Sequence, residues 1–425
     1  MFKKSMLFIN IFFSLGAHAN SSRDLLNSPP TFKNQLHKSI DGVETYTYIK
    51  CSYRKNMDST FDATSSWQWG ILKDSKNDYA KIKGRWHSSY MLTNIFFTEA
   101  SYKEINEICT NTLKNKKISY TDLIPYASDY TLSFYYNFWH EGKNVPTVTI
   151  GDSVLDRMII FGDSLSDAIN VYNGSYGTVP NSKSWYLGHF TNGLVWHEYL
   201  SKKHLFIPSY SWATGNAESG NGNIFLGFNQ QVKSFQSYIS KSKDYNIEKS
   251  LFLILFGGND IISGNKKTDD MIQNYTLALN HLIGMGAKKI AVLNLPNLAI
   301  VPVTKSMTQK ERSIIENKTK DFNQKLGQLI TTLKPKYPNV KFISLDLYSA
   351  FNEIVSQSHK YGFKNNSDAC LHLKRSSLSY ISGASPTQDC KNNDANYIFW
   401  DNMHPTSKAH EAISSLLSRD LLRSL

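Results

Sequence analysis

Three short polar segments carry residue types that could do chemistry together. Gly162-Asp163-Ser164-Leu165-Ser166-Asp167 follows the apolar run Met158–Phe161, and Gly257-Gly258-Asn259-Asp260 follows a second one, Ser250–Phe256. The third, Asp401-Asn402-Met403-His404-Pro405, precedes a helical stretch. A serine hydroxyl is a weak nucleophile until a base removes its proton, and His404 is the base this pattern offers to Ser164. Asp401, three residues before it, can hold the far imidazole nitrogen, fix the tautomer and stabilise the imidazolium. An attacked ester carbonyl also needs donors for its oxyanion: the Ser164 amide, a glycine amide and the Asn259 carboxamide are of the right kind. Singly, each segment reads as a turn or a helix cap. In this order, each at a strand end or a helix start, they read as a site for acyl transfer.

Such residues must be brought together by regular elements. Arg157–Phe161, Ser250–Phe256, Lys289–Leu293 and Val340–Leu345 are short apolar runs, and helical stretches lie between or after them at Asp269–Met285, Thr308–Leu333 and Thr406–Leu422. The last carries Ile413, Leu416 and Leu417 on one face. Apolar strands alternating with helices predict an α/β domain, a parallel sheet covered on both faces, with its site beyond the carboxyl ends of the strands. Upstream the texture differs. From Asp41 to Trp139 the chain is aromatic and strand-like, at Tyr46–Ile49, Trp67–Trp69, Asn94–Phe97 and Thr131–Trp139. There Leu132, Phe134 and Tyr136 alternate with Ser133 and Tyr135 as in half-buried strands. The expected organisation is a β-rich domain with linker over 20–150, the linker being Gly142–Asp152, and a catalytic domain over 151–425.

A chain of 425 residues, 41% hydrophobic and 19% charged, suits an ordinary globular protein of two domains. The formal charge of +12 is spread thinly, without a basic block or finger-type cysteine spacing, which speaks against nucleic acid as a partner. Lys3 and Lys4, the apolar Met6–Leu15 and the small-x-small Ala17-His18-Ala19 predict a signal peptide over 1–19, cleaved near Ala19. The apolar run is too short for the roughly 20 residues that span a bilayer, so a secreted, soluble protein is expected. Export makes the four cysteines disulfide candidates. Three connectivities exist, and proximity favours Cys51–Cys109 with Cys370–Cys390. His372 lies near the second pair, but a disulfide explains those cysteines better than a metal site, and the serine mechanism needs no cofactor.

These blocks resemble the GDSL (SGNH) family of serine esterases and lipases, whose marks are Gly-Asp-Ser-Leu, a glycine, Gly-x-Asn-Asp and Asp-x-x-His. The resemblance spans residues 158–405 and implies a three-layer α/β/α, flavodoxin-like domain. In it Ser164 would be the nucleophile, His404 the base, Asp401 the third member, and Asn259 an oxyanion donor. The glycine block falls in Ser211-Trp212-Ala213-Thr214-Gly215-Asn216-Ala217, which makes Gly215 the remaining donor. Two departures stand out: Ile169 occupies a position where relatives commonly carry glycine, and Asn216 follows Gly215 where a second glycine is frequent. Tyr48–Arg54, Tyr79–Trp86 and Asn94–Thr98 resemble the N-terminal domain of the thermolabile haemolysin branch, lecithin-dependent phospholipases whose sister enzymes are glycerophospholipid:cholesterol acyltransferases. That implies phospholipase A and lysophospholipase activity, with cholesterol as an acyl acceptor beside water.

The expected partner is therefore phospholipid at a membrane surface, with Phe225, Leu226 and Phe228 as an acyl-binding rim. The Cys370–Cys390 loop lies just before Asp401 and His404. It carries Lys374-Arg375, a nicking site for an activating protease, and reads as a tethered lid. The rival reading is an esterase that deacylates a polysaccharide, with Trp67, Trp69 and Trp86 exposed on the N-terminal domain to grip sugar.

Overall fold

The computed structural model describes residues 42–55, 65–72, 78–88, 94–128, 135–263, 266–373, 378–391 and 393–425. The leader at 1–19, Leu132, Ser133 and Phe134 of the alternating run, and Lys374-Arg375 lie outside them.

The N-terminal region forms strands β1 (Glu44–Lys55), β2 (Ser66–Trp69), β3 (Lys81–Ser88) and β4 (Asn94–Thr98), helix α1 (Tyr102–Asn115), and strands β5 (Tyr120–Ser128) and β6 (Asn137–His140). Strand β1 pairs with β2 and β3 along one edge and with β5 along the other, and β3, β4 and β6 continue the sheet. A bridge between Ala127 and Tyr136 joins β5 back to the start of β6, so the sheet closes on itself and leaves few free edges. Ile49, Trp86, Phe96 and Phe138 fill the interior with Ile105 of α1. Cys109 of α1 is bonded to Cys51 of β1, pinning helix to sheet. Helix α1 is an element the aromatic texture concealed.

The other face of this sheet is covered as well. Ile95, Phe97 and Trp139 belong to the same apolar core as the second domain, and the Arg157 guanidinium lies 4.5 Å above the Trp139 ring. Of the run expected to alternate, only Tyr135 and Tyr136 are described; they belong to different clusters and both are buried. Burial also removes the sugar-gripping face of the rival reading. Trp69 and Trp86 are 5% and 6% exposed, and Trp67 is half-buried.

The segment read as a linker holds the first strand and the turn of a small hairpin, β7 (Val148–Ile150), whose second strand β8 (Ser153–Leu155) follows it. The second domain then runs β9 (Arg157–Gly162), α2 (Asn170–Gly174), α3 (Trp196–Tyr199), β10 (Ser209–Ser211), α4 (Phe228–Ile239), β11 (Ser250–Leu255), α5 (Gly258–Ile262) and α6 (Thr268–Gly284). It continues with β12 (Lys289–Leu293), α7 (Gln309–Lys336), β13 (Lys341–Leu345), α8 (Leu347–Ser356), β14 (Asn365–Ala369), β15 (Leu371–His372), α9 (Ser379–Ser382), β16 (Ser385–Pro386), β17 (Tyr397–Phe399) and α10 (Ser407–Ser424). The sheet order is β10-β9-β11-β12-β13, all parallel. This flavodoxin-like order reverses direction between β9 and β11, the place where such sheets open a ligand crevice. Every residue of β9 and β11 is buried, because helices cover both faces. Helices α4, α6 and α7 pack in succession on one side, and α3, α8 and α10 on the other.

The helices follow their apolar spacing. Met271, Tyr275, Leu279 and Leu282 form the buried stripe of α6. Thr308 and Glu311 make a reciprocal capping box at the start of α7. Phe228 opens α4 and is fully buried in the core, and Leu226 beside it is buried too. Those two residues are therefore core and not an acyl rim. Phe225 alone stays partly buried near the site, packed in a cluster with Phe190 and Tyr380.

Candidate active site

Strand register sets the site. Gly162 ends β9 directly opposite Leu255, the end of β11, so the turns carrying Ser164 and Asn259 leave the sheet side by side. Gln231 of α4 clamps the end of β9: its Oε1 accepts from Gly162 N at 3.0 Å and its Nε2 donates to Gly162 O at 2.8 Å. Asp163 folds the turn by accepting from Leu165 N at 3.0 Å. Burial pushes the Asp163 carboxyl up to about 6, although the neighbouring amide and His404 act against it.

Ser164 is half-buried at the tip of this turn. Its Oγ lies 2.8 Å from His404 Nε2, and His404 Nδ1 lies 2.8 and 2.9 Å from the two Asp401 carboxylate oxygens. The segment carrying both, Asp401–Pro405, links β17 to α10, whose N-cap is Thr406. Asp401 is fully buried and well supplied with donors. Its Oδ1 accepts from the Met403 and His404 amides at 2.9 and 3.0 Å, and its Oδ2 from the Trp185 indole at 3.0 Å. Burial acts to raise this carboxyl, but the adjacent imidazole and these donors outweigh it and hold the group below its ordinary value. An ionised aspartate on Nδ1 leaves Nε2 as the acceptor facing Ser164, the proton arrangement that activating a hydroxyl requires.

Asn259 reaches the site from the start of α5. Its Nδ2 donates to Ala217 O at 2.8 Å, which orients the carboxamide and leaves its second Nδ2 hydrogen for a ligand. Among the described residues the Ser164 N–H has no protein acceptor. Ser164 and Asn259 line the same cavity.

Gly215 departs from its expected role. Its N–H donates to Asp167 Oδ2 at 2.7 Å and is thereby committed. The glycine is needed for space: a Cβ there would come within 2.5 Å of the Phe190 ring. That ring in turn sits 5.3 Å from the His404 imidazole. Gly215 thus seats a ring that packs against His404. Asp167, which also accepts from Asn170 N at 2.7 Å, caps α2; burial raises its carboxyl to about 7.

The Ile169 departure has a conformational meaning. Ile169 has φ +96° and ψ −9°, a region open to glycine and strained for a β-branched residue. Its side chain is buried among Tyr172, Tyr186 and Leu187, and that packing holds the backbone there.

The disulfide loop reaches the site. Cys370 and Cys390 are bonded, and within the loop they close, Tyr380 places its hydroxyl 3.3 Å from Asp401 Oδ2 and 3.4 Å from His404 Nδ1. Sequence reasoning passed over Tyr380. Its only signal was an aromatic residue in a cross-linked loop shortly before the Asp-x-x-His block. On the other side of Ser164 an apolar cavity runs beneath the strand ends, lined by Leu165, Ile262, Leu298, Val301, Phe351 and Met403.

Comparison with known proteins identifies the family. Residues 158–417 match the model of the GDSL-like lipase/acylhydrolase family, and residues 19–141 match that of the Vibrio dual lipase/transferase N-terminal domain. The chain is 32% identical to the thermolabile hemolysin of Vibrio parahaemolyticus over 374 residues, covering 87% of each protein. It is 24% identical to the secreted effector protein SseJ of Salmonella typhimurium, covering 64% of each. A GDSL esterase/lipase of Arabidopsis thaliana, At1g71691, is 27% identical and is matched over 61% of this chain and 80% of its own. The chain therefore belongs to the GDSL lipase/acylhydrolase family, in the form that carries a Vibrio-type lipase/transferase domain at its N-terminus.

Proposed function

We propose that the protein is a secreted phospholipase A and lysophospholipase that works through an acyl-serine and passes the acyl group to water or to a sterol. Ser164 Oγ attacks the ester carbonyl carbon while His404 Nε2 takes the hydroxyl proton. The carbonyl π electrons move to oxygen, where the Ser164 amide and the Asn259 carboxamide stabilise the charge. Collapse expels the lysophospholipid alkoxide, which takes the proton back from His404. An acceptor hydroxyl then repeats the sequence on the acyl-serine, with His404 again removing the proton and Asp401 holding the imidazole in register.

The observation that carries the lipid reading is the apolar lining of the cavity beside Ser164, suited to an acyl chain rather than to a sugar. The leader-like Lys3–Ala19 stretch supports export, and the two disulfides are in keeping with an oxidising compartment. Cleavage at Lys374-Arg375 by an external protease would loosen the cross-linked loop beside the triad and admit a larger acceptor.

The test is to incubate intact and loop-nicked protein with phosphatidylcholine vesicles containing cholesterol, beside Ser164→Ala, and to quantify fatty acid and cholesteryl ester together. Ester that depends on Ser164 makes the protein an acyltransferase, and fatty acid alone makes it a phospholipase. Neither product under either condition, with hydrolysis of acetyl esters retained, would overturn the lipid reading in favour of a deacetylase.

A further inference from the structure

The segment 181–185 ties the disulfide loop to the triad. Asn181 N donates to Tyr380 O at 2.8 Å, and Asn181 Nδ2 to Ile381 O at 2.7 Å. Ser184 Oγ donates to Ala384 O at 2.8 Å and accepts from Ala384 N at 2.9 Å. One residue on, Trp185 donates its indole N–H to Asp401, and its ring lies 4.8 Å from that of Tyr380. The Phe190 ring lies 5.7 Å from that of Tyr380. The tyrosine ring thus contacts two aromatics, with its hydroxyl within 3.4 Å of both Asp401 and His404.

We propose that Tyr380 is a positioning residue for the Asp401–His404 pair, delivered there by the Cys370–Cys390 loop, so that the state of the loop governs how the carboxylate holds the imidazole. This rests on the reading of Ser164 and His404 as nucleophile and base. The Tyr380 O–H donates to Asp401 Oδ2, the oxygen that also serves Trp185 and His404. Each such donor draws negative charge from the carboxylate and weakens its hold on an imidazolium. The Tyr380 hydroxyl thus shares the carboxylate oxygen that holds the imidazole, 3.3 Å from Asp401 Oδ2 and 3.4 Å from His404 Nδ1. The other titratable groups around His404 are Asp163 on the nucleophile turn, Asp401 itself and His410 on α10. Burial keeps His410 neutral, with its value lowered to about 3. Burial and the Asp401 charge raise the Tyr380 hydroxyl well above its ordinary value, so it stays a donor.

The experiment is the pH dependence of kcat/KM on a soluble p-nitrophenyl ester for the wild-type protein, Tyr380→Phe and the double variant Cys370→Ser/Cys390→Ser. Tyr380→Phe keeps the ring against Trp185 and Phe190 and removes only the hydroxyl. At 3.3 Å the lost bond is a long one, so the expected effect is a small upward movement of the acid limb, with the high-pH plateau within about threefold of wild type. The double cysteine variant is expected to move the limb in the same direction. Should it fail to fold, as read by near-ultraviolet circular dichroism, Asn181→Ala, which unfastens the loop at Tyr380 and Ile381, takes its place. An unmoved limb in Tyr380→Phe overturns the proposal. A limb that moves in Tyr380→Phe but in neither loop variant overturns the loop's part in it. Activity surviving in Ser164→Ala would instead strike the underlying reading, whatever Tyr380 does.

Discussion

Ile169 offers a test of backbone strain that is separate from catalysis. The residue sits at φ +96° directly before α2. Its neighbours over-determine that conformation. Asn170 donates from Nδ2 to Ser211 O and to Ala213 O, both at 2.8 Å, while its amide donates to Asp167. A left-handed conformation costs an L-residue about 1–2 kcal/mol, and more when the side chain is β-branched. Truncating Ile169, which is 1% exposed, costs about 2–5 kcal/mol through lost burial and the cavity left behind. Ile169→Gly relieves the strain and still destabilises, because the burial loss is larger. The diagnostic comparison is alanine against glycine. At an ordinary position glycine is less stable than alanine by roughly 0.5–1 kcal/mol through the entropy of the unfolded chain. Here alanine keeps the conformational penalty and glycine does not, so Ile169→Gly should be the more stable variant by about 0.5–1 kcal/mol. Urea unfolding followed by fluorescence measures this from the midpoints at equal slope. Alanine more stable than glycine by about 1 kcal/mol would refute the reasoning.

Three further outcomes are expected. Asn259→Ala should lower kcat about 10²–10³-fold with little change in KM, as loss of an oxyanion donor does, and an effect confined to KM would remove Asn259 from that role. Gly215→Ala should cost about 1–3 kcal/mol of stability and a larger share of activity, because the new methyl collides with Phe190 and shifts the ring packed on His404; a silent substitution would show that this contact does not matter. His197 accounts for part of the pH dependence of folding. Burial lowers its value from 6.5 to about 4, so the unfolded chain binds its proton first and stability falls with pH through that window. Relative to His197→Gln, the wild-type protein should lose about 2 kcal/mol between pH 7 and pH 5, measured by urea unfolding at both values.

The candidate constellation was legible because its parts are local. Ser164 directly follows a strand, Asp401 and His404 share one loop, and Asn259 follows another strand. In a parallel sheet, consecutive strand ends emerge on one edge, so residues just beyond them are gathered whatever lies between. The apolar runs, buried on both faces, likewise marked β9, β11, β12 and β13 within a residue or two. Helix α1 was hidden by the aromatic texture around it, and β10 is only three residues long.

Other features depend on residues far apart in the chain. Phe190 meets Gly215 and His404, Trp185 meets Asp401, and Tyr380 meets both members of the pair, and no local pattern announces such contacts. The Gly215 amide could be matched to a family block by spacing alone. That its hydrogen is already committed depends on where the buried Asp167 carboxylate lies in space. Phe228 and Leu226 read equally well as a surface rim or as core until α4 is packed on the sheet. The burial of Ile95, Phe97 and Trp139 follows from the docking of the second domain, and that of Trp69 and Trp86 from partners elsewhere in the N-terminal region, Tyr48 and Phe96 among them. Sequence by itself determined the chemistry and the sheet that presents it, because period and spacing along one chain encode them. Tertiary structure alone decided which donors are free, which aromatics are covered and what leans on His404, because hydrogen bonds and van der Waals contacts act through space over a few ångströms, regardless of separation along the chain.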